Sequence, residues 1–423
     1  MKRQIFYTKI LTVSFSILIG FQSLIAGNGG IGSSRYGIGD IQYFPSSRAF
    51  GMGGASFAVL TSASINRMNP AAWTQLNRTR YSFGVLYEGI SAEDINESRF
   101  FSGVAFTGLM VSLPVAPSNG ITLAFGLTPY SRINYNIITP SSFDTLNYNI
   151  QYLGDGGISQ ANLGSSVKIG SDLSLGLKID YYSGTLNYTT KQLFVGSDYT
   201  SSEVTRTIEV NGFGATVGFV YTGLRSILNL PESQMFSIGG VFSTGSSLKA
   251  KEQKYYSFNT ATILVRDTAD AVTGKLEIPF SFGGGIAYST EKILYAGDFF
   301  YQNWDKYSLF GNSSSEIRNN FRFSAGLEHL SKRDLSSSYF QRVAYRAGFF
   351  YNSSYYQLKD EPLNELGFTI GFGAPLFTDA RLNINLGYSF RGTTDKQLQK
   401  DNIFRLSFSL SGGEVWFERP AQE

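Results

Sequence analysis

Along most of this chain, apolar and polar residues alternate one by one. Between Arg381 and Arg391, Leu382, Ile384, Leu386, Tyr388 and Phe390 alternate with Asn383, Asn385, Gly387 and Ser389. Phe404, Leu406, Phe408 and Leu410 alternate with Arg405, Ser407, Ser409 and Ser411, and Leu173 to Tyr181 alternate with Ser174, Gly176, Lys178 and Asp180. A period of two places one set of side chains on each face of a strand. Helical spacing does not compete, because the stretches are rich in aromatic and β-branched residues and broken by Gly.

The same pattern predicts strands near 79–88, 99–113, 121–137, 158–169, 173–190, 205–222, 235–256, 276–290, 293–307, 318–330, 342–352, 364–374, 380–391 and 402–411. That is about 14, an even number, as a single-chain transmembrane β-barrel requires. A soluble antiparallel sandwich would also alternate. The small and polar composition of one face, with aromatics near strand ends, favours the all-β transmembrane antiparallel barrel. Connections alternate in character. Those at 138–157, 191–204, 257–275 and 353–363 read as long polar loops, and 170–172, 290–292 and 374–379 as tight turns. The connections at 223–234 and 331–341 are longer than this parity expects. Long loops belong outside the cell and short turns in the periplasm, so both termini are expected on the periplasmic side.

Composition sharpens this. Charged residues are 16% of the 423 residues, against about a quarter in soluble domains. Tyr, Phe and Gly number 26, 35 and 46, Cys is absent and His occurs once. Thiolate metal sites and disulfides are excluded, and no cofactor or metal is expected. Lys2, Arg3 and Lys9 account for the whole net charge of +3. They precede an apolar run from Ile10 to Phe21 and the small residue Ala26. This is the form of a secretory signal peptide cleaved after about Ala26, or of an uncleaved anchor. The remainder is neutral, so a nucleic-acid partner has no electrostatic support.

Residues 27–78 are not strand-like. Gly51-Met52-Gly53-Gly54-Ala55 follows Arg48-Ala49, and Asn69-Pro70-Ala71 marks a turn. Glycines let a backbone pack closely on a wall, so this segment is a candidate plug, with 79–423 as the barrel. These residues carry a resemblance. Together with Pro279, Asp298 and Trp304, and with Tyr345 to Tyr351, they are similar to the FadL family of outer-membrane transporters. The resemblance implies a monomeric 14-stranded barrel in the bacterial outer membrane. Gly51, Gly53, Gly54, Asn69, Pro70 and Ala71 would belong to an N-terminal hatch inside the lumen. It further implies passive uptake of hydrophobic compounds such as long-chain fatty acids, leaving sideways through a kinked third strand. Pro129 falls in that strand, where it marks either a lateral opening or a strand end bending into a loop. FadL-like barrels of the type IX secretion kind share the Asn-Pro-Ala segment and serve protein secretion, which leaves a secretion or scaffold role open.

Lumen-facing cations are candidate partners for a fatty-acid carboxylate. Arg346, beside Phe350, is the preferred one, and Arg322 and Lys178 are further candidates. Salt bridges bracing the hatch are the competing role for each. Phe143, Leu146 and Tyr148 make the 138–157 connection unusually apolar. It is either a capture surface for hydrophobic ligand or a continuation of the strands. His329 has no nucleophile elbow beside it, so an enzyme is not expected.

Overall fold

The computed structural model describes residues 30–414 except 45, 96, 145, 195–199, 260–263, 333, 335, 377 and 378. The leader reading therefore lies outside the described residues. The rest forms one closed antiparallel barrel of 14 strands. They are β1 (Thr79–Glu93), β2 (Ser98–Ala116), β3 (Ile121–Phe143), β4 (Leu146–Ile169), β5 (Leu173–Phe194), β6 (Ser202–Tyr221) and β7 (Met235–Ser243 with Ser246–Asn259). There follow β8 (Leu264–Thr268, Val272–Ile278 and Ser281–Ser289), β9 (Ile293–Gln302), β10 (Asn320–His329), β11 (Ala344–Leu358), β12 (Glu361–Pro375), β13 (Arg381–Gly392) and β14 (Lys400–Glu414). Closure pairs β14 with β1 from Lys400↔Glu93 to Glu414↔Thr79, which removes the free edges an open sheet would leave.

Every expected strand is present, and the alternation sorts as anticipated. Phe125, Leu163, Phe213, Ile286, Phe323 and Phe368 are exposed on the outer wall, whereas Lys178, Asp180, Asp298, Arg322, Glu328 and Arg346 are buried inside. The loops are where the structure corrects the sequence reading. β3 and β4 continue as a paired hairpin to Phe143↔Leu146, so 138–157 is two strand extensions. Tyr148 lies in strand, its ring 5.7 Å from Phe194. The 353–363 connection shrinks to a turn at Lys359 and Asp360, both at positive φ, with Gln357↔Pro362 already paired. Much of 191–204 and 257–275 is also strand. The physical reason is that the alternation simply continues, and each added residue finds a ladder partner.

The end where β1 starts and β14 finishes is called here the near end. At the far end the lumen is filled by packed side chains. Ile133, Tyr135, Ile158, Leu186, Ile208, Leu248, Leu276 and Tyr355 form one buried cluster with Ile38 and Ile41 of the N-terminal segment.

Residues 30–78 lie inside the barrel. Helix α1 (Ser47–Gly51) is capped by Ser46, whose Oγ accepts from Ala49 N at 3.2 Å. A 3-10 helix at Pro70–Gln75 is capped by Asn69, with Pro at the first turn, where its missing N–H costs nothing. The first described residue, Gly30, lies against Asn134 on the far half of β3. The chain therefore enters the described part of the molecule inside the barrel, while β14 ends beside Thr79 at the near end.

The third strand interrupts the wall. β2 and β3 pair from Ala116↔Ile121 to Leu109↔Leu127 and no further. Beyond that point β2 (Ser98 to Gly108) and β3 (from Thr128) share no backbone pairing. On its other side β3 stays paired with β4, but the register slips between Pro129 and Ser131, where Pro lacks the N–H for the ladder. The N-terminal segment lines this seam from within. Asp40 and Ile41 pair antiparallel with Arg132 and Ser131, and Gln42 N donates to Tyr130 O at 3.0 Å.

Candidate functional site

The lumen contains a plug pinned to the wall rather than an open channel, and the pins are side chains of the polar strand face. Asp298 on β9 accepts from two consecutive plug amides, Ser56 N at 2.5 Å and Phe57 N at 2.9 Å. Its cross-strand neighbour is Gly285, where a Cβ would sit 2.0 Å from the carboxylate. Gly53, at φ 69°, donates its amide to Thr369 Oγ1 at 3.0 Å, and a Cβ there would meet Phe349 O at 2.3 Å. Only a residue without a side chain fits at Gly285 in the wall or at Gly53 in the plug. Asn69 Nδ2 bridges Phe57 O at 2.7 Å and Phe219 O at 3.0 Å, while its Oδ1 accepts from Ala71 N. Gly51, Gly53, Gly54, Asn69, Pro70 and Ala71 thus all sit in the plug, and the motif glycines mark its closest approaches.

Arg67 serves the seam. Its guanidinium donates to Thr107 O at 2.9 Å, Gly108 O at 3.1 Å and Ser82 Oγ at 3.0 Å, holding β2 carbonyls where the wall begins to open. Burial pulls this guanidinium down to about 10, which leaves it charged at neutral pH.

The four residues chosen as ligand contacts do not share one pocket. Arg322 and Phe350 do meet: the guanidinium lies 4.3 Å from the Phe350 ring centroid and 4.5 Å from that of Phe44, and Nη2 donates to Gly53 O at 3.1 Å. Stacking of this kind is typical of Arg. Arg346 lies towards the near end, where Nε donates to Glu328 Oε1 at 3.0 Å and Nη1 to Asn383 at 3.1 Å. Arg48 of the plug donates to the other oxygen of Glu328 through Nε at 2.8 Å. Lys178 pairs with Asp180 at 3.1 Å.

Sequence reasoning passed over the largest charge network. Arg405 joins Glu88 at 2.8 Å and Glu365 at 2.7 Å, and Arg132 also bonds Glu88. Arg391 joins Asp401 at 2.9 Å and Asp40 of the plug at 3.0 Å. The alternation places Glu88, Glu365 and Arg405 on the inner face, and that was the available signal. Burial raises the Asp40 carboxyl, with Arg391 opposing the shift.

Two of the cavities lie between plug and wall. One of ≈350 Å³ opens at the near end, bounded by Arg48, Arg67, Arg346, Arg381 and Glu328 with several serines. The other, ≈130 Å³, lies directly behind Pro129 among Tyr43, Tyr130, Tyr182, Phe300 and Gln302. His329 lies exposed at the end of β10, its ring edge-on to Tyr345 at 6.2 Å. Among the described residues no cluster of three or more metal-ligating side chains occurs.

A closed 14-stranded barrel with an internal N-terminal plug defines the fold class, and comparison of the whole chain defines its kin. The sequence model of BamG matches residues 7–421. The chain belongs to the BamG family. No curated protein matches this BamG-family chain in sequence. Its fold is similar to a Pseudomonas aeruginosa FadL homologue, with a TM-score of 0.59, 12% identity and coverage of 87% of this chain and 97% of that one. It is also similar to the Pseudomonas putida toluene transporter TodX, with a TM-score of 0.56, 14% identity and coverage of 90% and 100%. At these identities the likeness establishes a shared fold.

Proposed function

We propose that this BamG-family protein is a plugged outer-membrane barrel that serves protein secretion or envelope scaffolding, with its near end facing the periplasm. The observation that carries this reading is the state of the lumen. The far half is a packed apolar core, and the cations considered for a fatty-acid head group are held by Glu328, by Asp180, or by stacked rings and the Gly53 carbonyl. A rigid, filled barrel is a frame for partners more readily than an axial conduit. The test is a deletion strain assayed for the outer-membrane and secreted proteome and, in parallel, for growth on a long-chain fatty acid. Loss of specific envelope proteins with unchanged fatty-acid growth supports the reading. An unchanged proteome with lost growth overturns it.

One observation favours a second reading, entry of small hydrophobic compounds. The seam between β2 and β3 leads to the cavity behind Pro129, where aromatic rings would meet an apolar body and Lys178 and Gln160, on the same lining, a polar head, the mixed character of a small-ligand pocket. Phe143, exposed at the tip of the β3–β4 hairpin, with Leu146 and Tyr148 would then be the capture surface. Saturable binding of toluene or a fatty acid to the purified barrel, lost when Pro129→Tyr narrows this pocket, would establish that reading.

A further inference from the structure

Two near-end connections are longer than a turn requires, and both carry exposed apolar residues that neither the plug nor the lumen uses. Residues 222–234 join β6 to β7 and contain helix α2 (Leu224–Ile227). Residues 330–343 join β10 to β11 and contain helix α3 (Tyr339–Arg342). Ile227 and Leu228 are 69% and 53% exposed, and Tyr339 and Phe340 are 48% and 74% exposed. Exposed apolar patches of this kind mark contact surfaces. Neither connection hangs free. The Tyr288 hydroxyl donates to Gln234 Oε1 at 2.7 Å, and the Tyr345 hydroxyl donates to the Phe340 carbonyl at 3.2 Å. Both tyrosines belong to the outer wall. Tyr288 stacks on Tyr295, and Tyr345 packs edge-on against Phe372, and Tyr295 and Phe372 are both exposed there. These bonds tie the two connections to the lipid-facing side of the barrel, at the level of its aromatic girdle.

The polar residues beside them decide what kind of surface fits. Next to α2 lies an open groove of ≈740 Å³, between this connection and the 170–172 turn. Thr222 N closes its floor by donating to Asp172 O at 2.9 Å. Arg225, Asp172 and Glu232 line the groove. Arg225 and Glu232 approach only to 3.8 Å, and the Glu232 side chain is 99% exposed. So loose a surface pair gives up little when each member meets another charge. One cation and two acids around one groove match a head group that carries both a phosphate and an amine. A purely anionic head group would meet two like charges for one opposite charge. At α3 the Arg342 guanidinium lies 5.7 Å from the Tyr339 ring centroid, so a cation and an aromatic body stand together as amphipathic side chains do at an interface. The two patches are four strands apart around the wall, and a lipid leaflet reaches both at once. We infer that the two connections are feet set into the adjoining leaflet, with Ile227, Leu228, Tyr339 and Phe340 at its acyl boundary. The groove at Arg225 then seats the head group of a zwitterionic phospholipid. That this leaflet is the periplasmic one rests on the orientation proposed above.

The chain has no Cys, so single nitroxide labels can be placed without removing any. Leu228→Cys and Phe340→Cys are labelled in the full barrel, reconstituted into phosphatidylethanolamine–phosphatidylglycerol bilayers. Phe323→Cys on the outer wall and Ser118→Cys in the exposed near-end turn at 117–119 are the references. Relaxation by oxygen, which concentrates in lipid, is compared with relaxation by a water-soluble nickel chelate. The oxygen-to-nickel ratio at 228 and 340 is expected to exceed that at 118 at least fivefold and to approach that at 323. Ratios equal to that at 118 overturn the proposal and assign both patches to solvent or to a protein partner. The head group is read separately, by native mass spectrometry of the barrel taken from micelles holding equal amounts of the two phospholipids. Phosphatidylethanolamine is expected to be retained at least threefold over phosphatidylglycerol, and Arg225→Gln to abolish the preference. Equal retention by the unaltered barrel overturns the head-group assignment. Both measurements use purified protein, so their failure is distinguishable from failure of the secretion reading, which the deletion phenotype tests.

Discussion

Removing the Asp298 carboxylate tests whether the plug is held from the wall. In Asp298→Ala the amides of Ser56 and Phe57 lose their shared acceptor in a site closed to solvent. A hydrogen bond to a charged group contributes about 1.5–3 kcal/mol, so two could supply roughly 3–6 kcal/mol. The lower figure is the safer expectation, since Gly53, Asn69 and Arg48 still anchor the plug. About 3 kcal/mol corresponds to roughly a hundredfold increase in local opening, at about 1.4 kcal/mol per tenfold. Hydrogen exchange of residues 46–75 reads this directly, and the barrel strands serve as internal reference. Asp298→Asn keeps an acceptor oxygen and is expected to lose much less. Gly285→Ala should reproduce the alanine variant with the carboxylate still present, because its Cβ would push the carboxylate out of place. Unchanged exchange at Ser56 and Phe57 in Asp298→Ala would refute the reasoning.

Three further outcomes are expected. Leu248→Ala, at a fully buried far-end position, should destabilise the barrel by about 2–5 kcal/mol, seen as a lower midpoint in denaturant. Arg67→Met keeps most of the side-chain volume but removes the donors to Thr107 and Gly108. It should accelerate amide exchange on β2 above Leu109 and leave β12–β13 unchanged. Asp40 has a carboxyl raised by burial, so the folded state holds its proton more tightly than the unfolded chain. Its stabilising contribution is full below the ordinary carboxylate range and is lost as pH rises through the raised value. Asp40→Asn should therefore flatten the stability of plug docking across that window, measured by proteolysis of the N-terminal segment against pH.

The barrel was legible in the sequence because each strand writes its two faces in alternate letters. Lys178, Arg322 and Arg346 were correctly placed inside for that reason. Past Ile137 the sequence left loop and strand continuation both open, and the continuation is what forms, because Phe143, Leu146 and Tyr148 carry the pairing on. Partner choice was not legible. Arg346 and Glu328 face each other only through the β10–β11 register, and Arg405 meets Glu365 across the intervening β13. Such pairings depend on strand stagger, which composition does not encode. Pro129 was visible as an anomaly. That the N-terminal segment would supply the missing neighbour of β3 could not be inferred from local pattern.

The order of the anchors along the chain has a consequence for biogenesis. The plug is synthesised first, and while Arg67 meets Thr107 only 40 residues on, the groups at Asp298, Arg322, Glu328, Thr369 and Arg391 follow some 240 to 350 residues later. Contacts so distant in sequence form late. The N-terminal segment therefore gains its full set of anchors only once the later strands are in place. The last pairing to become possible, β14 with β1, encircles it. A barrel that closes with this segment outside has little route to correct the error, because the finished wall is sealed except at the seam beside β3.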